Sequence, residues 1–356
     1  LNLLHYQEQQ AGTVLLPSQH LHGETSKESE NVLNRRSRIF LKLENLQPSG
    51  SFKSRGIGHY LATHIKKKRD GGNDAPTHFY CSSGGNAGLA CVVAARQLGF
   101  EATIVVPMTC KPLMLNKLRD TGARDVIQIG ANWKEADAYL RENLLVKDKG
   151  GVYVPPFDHP DIWEGHSSLV HELKQQLADL HNSSSLLNGS SHKAPDAIIC
   201  SVGGGGLFNG IMQGLDTIGW SSTQVVAVET AGADSLNAAL KAKEHVTLPG
   251  ITSIATSLGC VRVSERTYKL GQRFNVRSCV FSDAEAVEGC WKLADDERLL
   301  VEPACGVNAV LCYNGQLAEV LGRPVTPDMK VVVVICGGSN VTLEQLALWR
   351  AEFAQC

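Results

Sequence analysis

The 356-residue sequence lacks three things. It has no surplus of charge, since 34 basic against 36 acidic residues leave a formal net charge of -2. That balance provides no electrostatic footprint for nucleic acid or for an anionic membrane surface. The one basic run, Lys66 to Arg69, leads into Asp70-Gly71-Gly72-Asn73-Asp74 and reads as a solvated helix end entering a loop. No apolar run approaches the roughly 18 residues that a membrane-spanning helix needs. No C-x-x-C pair occurs among the eleven cysteines, whose number is odd. Several lie in apolar stretches, Cys91 in LACVVAA and Cys200 in AIICSV. A disulfide framework or zinc site fits this poorly, whereas buried reduced thiols in an intracellular protein fit it well. The cytoplasm is therefore the expected compartment, with mitochondria as the alternative.

What is present is a globular composition, 43% hydrophobic and 20% charged, over a length that supports one large domain or two ordinary ones. Short β-branched runs alternate with amphipathic segments. RIFLKL has period two, and GIGHYLATHIKKK places Ile57, Leu61 and Ile65 one helical turn apart. The pairs continue with THFYCSS and NAGLACVVAARQLG, ATIVVP and PLMLNKLRDTG, then DVIQIG and WKEADAYLRENLL. DAIICSV precedes LFNGIMQGLDTIG, and KVVVVIC precedes TLEQLALWRAEFA. Near-continuous apolar strands alternating with helices predict an α/β protein of mostly parallel sheets covered on both faces. HNSSSLLNGSSHKAP and the stretch from His20 to Arg36 read as exposed insertions.

Ligands of such sheets bind at the carboxyl ends of strands, and four small-residue loops fall there: PSGSFK, SSGGNAG, VGGGGLFNG and CGGSN. VGGGGLFNGI is not a dinucleotide fingerprint, because the last position of G-x-G-x-x-G falls on Phe208 or Asn209. Nor is PSGSFKS a Walker A loop, since Lys53 does not follow a glycine. Gly203, Gly204, Gly205 and Gly206 instead precede a helix, where bare backbone N–H groups and the helix dipole suit a phosphate. A tight turn with close helix–sheet packing is the alternative, but four glycines exceed what a turn needs. In LENLQPSGSFKSRG a single amine, Lys53, is framed by Ser, Gly and Pro. An amine opposite a phosphate cradle suggests a Schiff base with pyridoxal 5'-phosphate, which carries both an aldehyde and a phosphate. CSSGGNAGLA forms a second nest, with hydroxyls from Ser82 and Ser83 and amides around Gly84 and Gly85 at a helix start near Asn86. It suits a carboxylate; a Ser N-cap with a Gly turn is the alternative. Cys336, closing an apolar strand, reads by itself as a core thiol.

Taken together, QPSGSFKSRGIG, SSGGNAG, VPPFDHPDIWEGHSS, SVGGGGLFNGI, ITSIATSLG, VEPACG and CGGSN resemble, in order, the L-serine/L-threonine dehydratases. These belong to the tryptophan-synthase-β-like, fold-type-II pyridoxal-phosphate enzymes. The resemblance implies two doubly wound domains: a large cofactor-binding one over 1–53 and 153–356, and a small substrate-binding one over 54–152. It makes Lys53 the Schiff-base lysine and places Phe52 on one face of the pyridoxal ring, with Gly84 toward the other. Gly203, Gly204, Gly205, Gly206 and Leu207 would hold the phosphate, and Asn86 would meet the ring's 3-oxygen. Ser83 with the amides of Gly84, Gly85, Asn86 and Ala87 would bind the substrate carboxylate, and Cys336 would face the pyridine nitrogen. Family members also bind a monovalent cation such as K+, whose neighbourhood matches Gly203, Glu229, Ala233, Ser235, Leu258 and Cys260. A homodimer acting on a small amino acid is implied, with no nucleic-acid or membrane partner.

Two departures from the family pattern stand out. LHGETSKESENVLNRRSRIF has no TPL-type tripeptide, and Gly84 stands where some relatives have Ala or Ser. The implied reaction deaminates L-serine to pyruvate, and L-threonine to 2-oxobutanoate, with the desolvated Lys53 amine as base at Cα. A thiol at the ring nitrogen is a weak hydrogen-bond partner, which favours prompt loss of the β-substituent over racemisation. A cysteine synthase would carry a TSGNTG-like loop and a serine racemase SSGNHAQ in place of SSGGNAG. A racemase, another eliminase of this fold type, and a weakly active cofactor-binding homologue are the alternatives.

Overall fold

The computed structural model describes residues 12–18, 21, 38–72, 76–183 and 194–353. The expected insertion between His20 and Arg36, apart from Leu21, and most of the Ser-rich one lie outside the described residues. So does most of the segment that lacks the TPL-type tripeptide. In chain order, β1 (Leu15–Pro17) and β2 (Arg38–Lys42) are followed by α1 (Lys53–Asp70), β3 (His78–Cys81) and α2 (Asn86–Leu98). Next come β4 (Glu101–Val106), α3 (Pro112–Thr121), β5 (Asp125–Gln128), α4 (Trp133–Tyr139), β6 (Gly151–Tyr153) and α5 (Pro160–Ser183). The chain continues through β7 (Ala197–Ser201), α6 (Gly206–Ile218), β8 (Gln224–Thr230), α7 (Ser235–Ala242), α8 (Glu265–Gly271) and β9 (Val276–Phe281). It ends with α9 (Asp283–Glu297), α10 (Pro303–Tyr313), α11 (Leu317–Leu321), β10 (Lys330–Val334) and α12 (Leu343–Phe353).

By packing, Leu46–His166 form the body of one compact unit, and Thr13–Asn45 with Ser167–Cys356 form the other. These divisions differ from the functional ones expected at 53/54 and 152/153. The reason is local: Pro156 and the first turns of α5 pack on the head of α1, so both stretches stay with it.

The first unit holds a four-stranded parallel sheet in the order β5-β4-β3-β6. Ile57, Leu61 and Ile65 of α1 are buried and share a core with Leu89, Cys91 and Val92 of α2 and Phe79 and Ile104 of the sheet. Lys66, Lys67 and Arg69 are exposed at the end of α1, as their composition predicts. The segment WKEADAYLRENLL is helical only through Tyr139; it continues as a π-turn (Leu140–Leu144) and a 3-10 turn (Leu145–Lys147). Such local widening of a helix often accompanies functional sites. α1 and α5 meet through glycines. A methyl group on Gly165 would lie 2.4 Å from the Arg55 carbonyl oxygen, and one on Gly56 would lie 2.4 Å from His166 Nε2.

The second unit holds a six-stranded sheet in the order β1-β2-β10-β7-β8-β9, parallel except for β1. Val331 to Val334 are wholly buried, as expected of a central parallel strand covered on both faces. Lys42 is also buried. Its Nζ donates to the Thr13 carbonyl at 2.7 Å, to Glu172 Oε2 at 2.6 Å and to Gln176 Oε1 at 2.9 Å. All three ammonium protons are thereby satisfied, which a buried charge requires. Ten cysteines are described, all free, and seven of them are buried. No helix among the described residues is long and apolar enough to cross a membrane.

The glycine contact between α1 and α5 leads to a first expected outcome. Gly165→Ala gains about 1 kcal/mol in helix propensity but loses about 2–3 kcal/mol to overpacking. The net loss of about 1–2 kcal/mol is measured as a lower urea midpoint with unchanged slope.

Candidate active site

In the first unit, Lys53 is the first residue of α1, with Phe52 as its N-cap. The amine is attached at the positive end of the helix dipole. Nζ lies 5.2 Å from the centre of the Phe52 ring and donates to the Pro156 carbonyl at 2.6 Å. Gln47 faces the Arg55 guanidinium at 3.1 Å, and Ser54 Oγ donates to Ser49 Oγ at 2.7 Å. PSGSF is thus a braced turn that fixes where the amine starts. Behind Phe52 is His166, fully buried, with ring centroids 5.1 Å apart. Burial first, then the charges of Lys53 and Arg55, hold the His166 pKa well below the usual histidine range, so the ring is neutral. Neither ring nitrogen has a hydrogen-bond partner among the described residues.

Ser83, Gly84, Gly85, Asn86 and Ala87 lie together at the carboxyl end of β3, with Gly85 as the N-cap of α2. By helix geometry the first N–H groups of α2 have no intrahelical acceptor. Gly85 N–H donates to Ser83 Oγ at 3.3 Å. A side chain on Gly88 would collide with the Ser83 carbonyl at 1.9 Å, so the helix starts tight against the loop. At Gly84 a methyl would meet Cys110 Sγ at 2.6 Å and Val106 Cγ1 at 3.1 Å. Ala or Ser there would therefore require the Cys110 side chain to turn away. The Ser82 hydroxyl, expected to join the anion nest, instead points inward. It donates to Asp137 Oδ1 at 2.6 Å, and only 1% of the residue is exposed.

In the second unit, Gly203, Gly204, Gly205, Gly206 and Leu207 link β7 to α6, with Gly205 as N-cap at φ +94°. A methyl on Gly205 would lie 1.8 Å from Thr267 Oγ1, and one on Gly203 3.2 Å from the Leu258 Cα. Gly205 therefore accepts no side chain, and Gly203 only with a small shift of its neighbours. A buried polar triangle braces it: Asn209 Nδ2 donates to Ser264 Oγ at 3.0 Å, Thr267 Oγ1 donates to Asn209 Oδ1 at 3.0 Å, and the two hydroxyl oxygens are 2.8 Å apart. Ser264 N–H also donates to the Gly204 carbonyl at 3.1 Å. Cys336 follows β10, buried, its sulfur 3.6 Å from Ser201 Oγ at the end of β7. Burial pushes the neighbouring thiol of Cys305 well up, and the Cys336 thiol bonded to it adds to the shift.

The expected cation residues fall into subsets. Glu229 is buried on β8 and accepts from the backbone N–H groups of Leu236 and Asn237, both at 2.8 Å. Burial pushes its carboxyl up to about 8, against those two hydrogen bonds. Ser235, beside it, has a buried hydroxyl with no hydrogen-bond partner among the described residues, and Ala233 is wholly buried. Leu258 touches the Gly203 turn, whereas the Cys260 thiol donates to the Arg262 carbonyl at 2.9 Å.

The family model described as pyridoxal-phosphate dependent enzyme matches residues 19–337. The chain belongs to that family. Among curated proteins, the catabolic L-serine/threonine dehydratase of Saccharomyces cerevisiae is 43% identical over 316 residues, 87% of this chain and 85% of its own. The L-serine dehydratase/L-threonine deaminase of Homo sapiens is 43% identical over 316 residues, 88% of this chain and 89% of its own. Among solved structures, a fungal L-serine ammonia-lyase from Rhizomucor miehei superimposes with a TM-score of 0.81 at 35% identity, covering 96% of this chain and 98% of that one.

The residues present fit the family's cofactor. The Gly203–Gly206 turn packs too closely on Leu258 and Thr267 for a Cβ at Gly203 or Gly205 to fit without a shift, and it precedes a helix N-terminus that favours an anion. Lys53 supplies the primary amine that an aldehyde requires. His166, Asp137, Asn209, Ser264, Thr267 and Cys110 were not among the residues predicted from sequence. His166 lies in the quoted VPPFDHPDIWEGHSS motif, which was the one available signal. The others act through partners distant in sequence.

The turn's geometry sets a further expected outcome. Gly205→Ala should weaken pyridoxal 5'-phosphate binding at least about tenfold. Adding Thr267→Ala relieves the collision in part, since the Thr267 Cβ itself lies 2.7 Å from the added methyl, and it leaves a left-handed backbone penalty of about 1–2 kcal/mol. Fluorescence titration of the two apoproteins with the cofactor, alongside thermal melts, checks both parts.

Proposed function

We propose that the protein is an L-serine/L-threonine dehydratase, converting L-serine to pyruvate and ammonia and L-threonine to 2-oxobutanoate and ammonia. One observation carries this reading. The 43% identity to the yeast dehydratase spans 87% of the chain, and within it Lys53 stands at the head of α1 on a braced turn.

Bound pyridoxal 5'-phosphate would supply an electron sink conjugated to the substrate's amino group. Lys53 would hold the cofactor and then, once its amine is freed, remove the proton from Cα. Ser83 and the amides of Gly84, Gly85, Asn86 and Ala87 would orient the substrate carboxylate, with Asn86 also reaching the cofactor's ring oxygen. Phe52, backed by neutral His166, would cover one ring face, and the small Gly84 would leave room at the other. Gly203 to Leu207 would hold the phosphate through backbone N–H groups. Cys336 would offer the ring nitrogen only a weak sulfur contact, which favours elimination over reprotonation at Cα. Net loss of water from serine, followed by hydrolysis of the resulting enamine, accounts for all atoms of pyruvate and ammonia.

We further propose that a monovalent cation, K+, sits near Gly203, Glu229, Ala233, Ser235, Leu258 and Cys260. The buried, unpartnered Ser235 hydroxyl and the buried Glu229 carboxyl support this. The division into a cofactor-binding part (1–53 and 153–356) and a substrate-binding part (54–152), homodimerisation and a cytoplasmic location complete the proposal.

Coupled pyruvate assays with L-serine, D-serine and L-threonine test the reaction. Turnover of L-serine and L-threonine is expected. Racemisation of L-serine without pyruvate would replace the proposal by the racemase reading. Lys53→Ala should lower kcat at least about a thousandfold and remove the visible absorbance; a variant retaining both would overturn the role of Lys53. For the cation, dialysis into tetramethylammonium salts should reduce activity several-fold, K+ should restore it, and Glu229→Gln should abolish the response.

A further inference from the structure

Asp137 lies on α4, two residues before its last, and only 9% of it is exposed. Three donors from three elements converge on its carboxylate. Ser82 Oγ donates to Oδ1 at 2.6 Å from the end of β3, and Tyr153 OH donates to the same oxygen at 2.8 Å from the end of β6. Arg141 Nε donates to Oδ2 at 2.7 Å from the π-turn, and its guanidinium lies 3.7 Å above the centre of the Tyr153 ring. Burial first, then the bond to Asp137, pushes the Tyr153 phenol well up, so it remains a donor at physiological pH. A carboxylate occupied in this way has no role left as a general acid or base. What it can do is fix positions, and among the described residues its hydrogen bond into the substrate loop runs through Ser82, the residue before Ser83.

We propose that Asp137 is a positioning residue for the substrate carboxylate: through Ser82 it fixes the register of the amides from Ser83 to Ala87. This rests on the reading of those amides as the carboxylate site. Arg141 has an electrostatic part in the arrangement. An uncompensated anion behind the loop would repel an incoming carboxylate, and the guanidinium bonded to Asp137 cancels that repulsion. The widened π-turn carries Arg141, so the irregular end of α4 acquires a function. The loop begins at Ser82, whose hydroxyl is held inward on Asp137.

The test uses holoenzyme and two substrate analogues that lack a leaving group. L-alanine carries the carboxylate, whereas L-alaninamide replaces it with a neutral amide; both are titrated by the change in the cofactor's visible spectrum. Ser82→Ala and Asp137→Ala should each weaken L-alanine about tenfold and L-alaninamide less than about twofold. In turnover, KM for L-serine should rise about tenfold with kcat within about threefold. The double variant should be no worse than Asp137→Ala alone by more than about twofold. Ser82→Ala removes a single oxygen, so the question stays answerable if Asp137→Ala fails to fold. Equal weakening of both analogues, or of neither, overturns the role of Asp137. If the unmodified enzyme itself binds the two analogues equally, the carboxylate reading of the loop falls, and the proposal falls with it.

Discussion

Two glycines allow α1 and α5 to approach until backbone meets backbone, and the position of the Lys53 amine depends on that approach. With no Cβ at Gly56 or Gly165, the Arg55 carbonyl and the His166 ring occupy the space that a side chain would fill. The head of α1 is thus fixed from behind by α5, and from the front by the hydrogen bonds among Ser49, Ser54, Gln47 and Arg55. A lysine has four rotatable carbons, and precision at its tip is attainable only when its root does not move. His166 adds a demand of its own. A charged imidazole in that position would stand against Lys53 and Arg55, and burial excludes it. The apolar character behind Phe52 comes from a polar residue held neutral.

The second unit solves a different problem. A turn of four glycines has few conformational restraints, and the entropic cost of ordering it is large. The Asn209–Ser264–Thr267 triangle supplies the missing restraint from outside the turn. Each of its polar atoms is bonded within a buried setting, which favours a single arrangement. Flexibility in the sequence thereby becomes rigidity in the fold. The conformational freedom of Gly205 serves only to reach φ +94°, and the packing of α8 removes the rest.

Much of this was legible in the sequence, because strand–helix alternation and glycine loops are local signals. Ile57, Leu61 and Ile65 are one turn apart and share a buried face, and Val331 to Val334 read as a central strand and are one. Lys53 stands out because its neighbours form turns. Other features were hidden for physical reasons. β6 has only three residues, too few for a periodic pattern, and β9 carries Arg277 and Ser278 at the sheet's edge, which breaks its apolar run. Ser82 was misread because its partner, Asp137, is 55 positions away. Locally, a serine before a glycine turn resembles an anion ligand whichever way its hydroxyl points. Similarly, nothing beside Gly205 announces Thr267. A close approach between distant segments appears only once the chain is folded.

The edge of the larger sheet shows how the fold limits its own growth. β1 pairs antiparallel with β2, Ser18 N–H donating inward to the Ile39 carbonyl, so alternate residues turn their backbone groups away from the sheet. Pro17 occupies one of those outward positions and has no N–H to offer. The buried Lys42 ammonium grips the Thr13 carbonyl just before this strand, which keeps the capped edge in place. A further strand arriving there would find a missing rung at the point of first contact. The outward row of backbone groups on β1 is therefore incomplete at the proline.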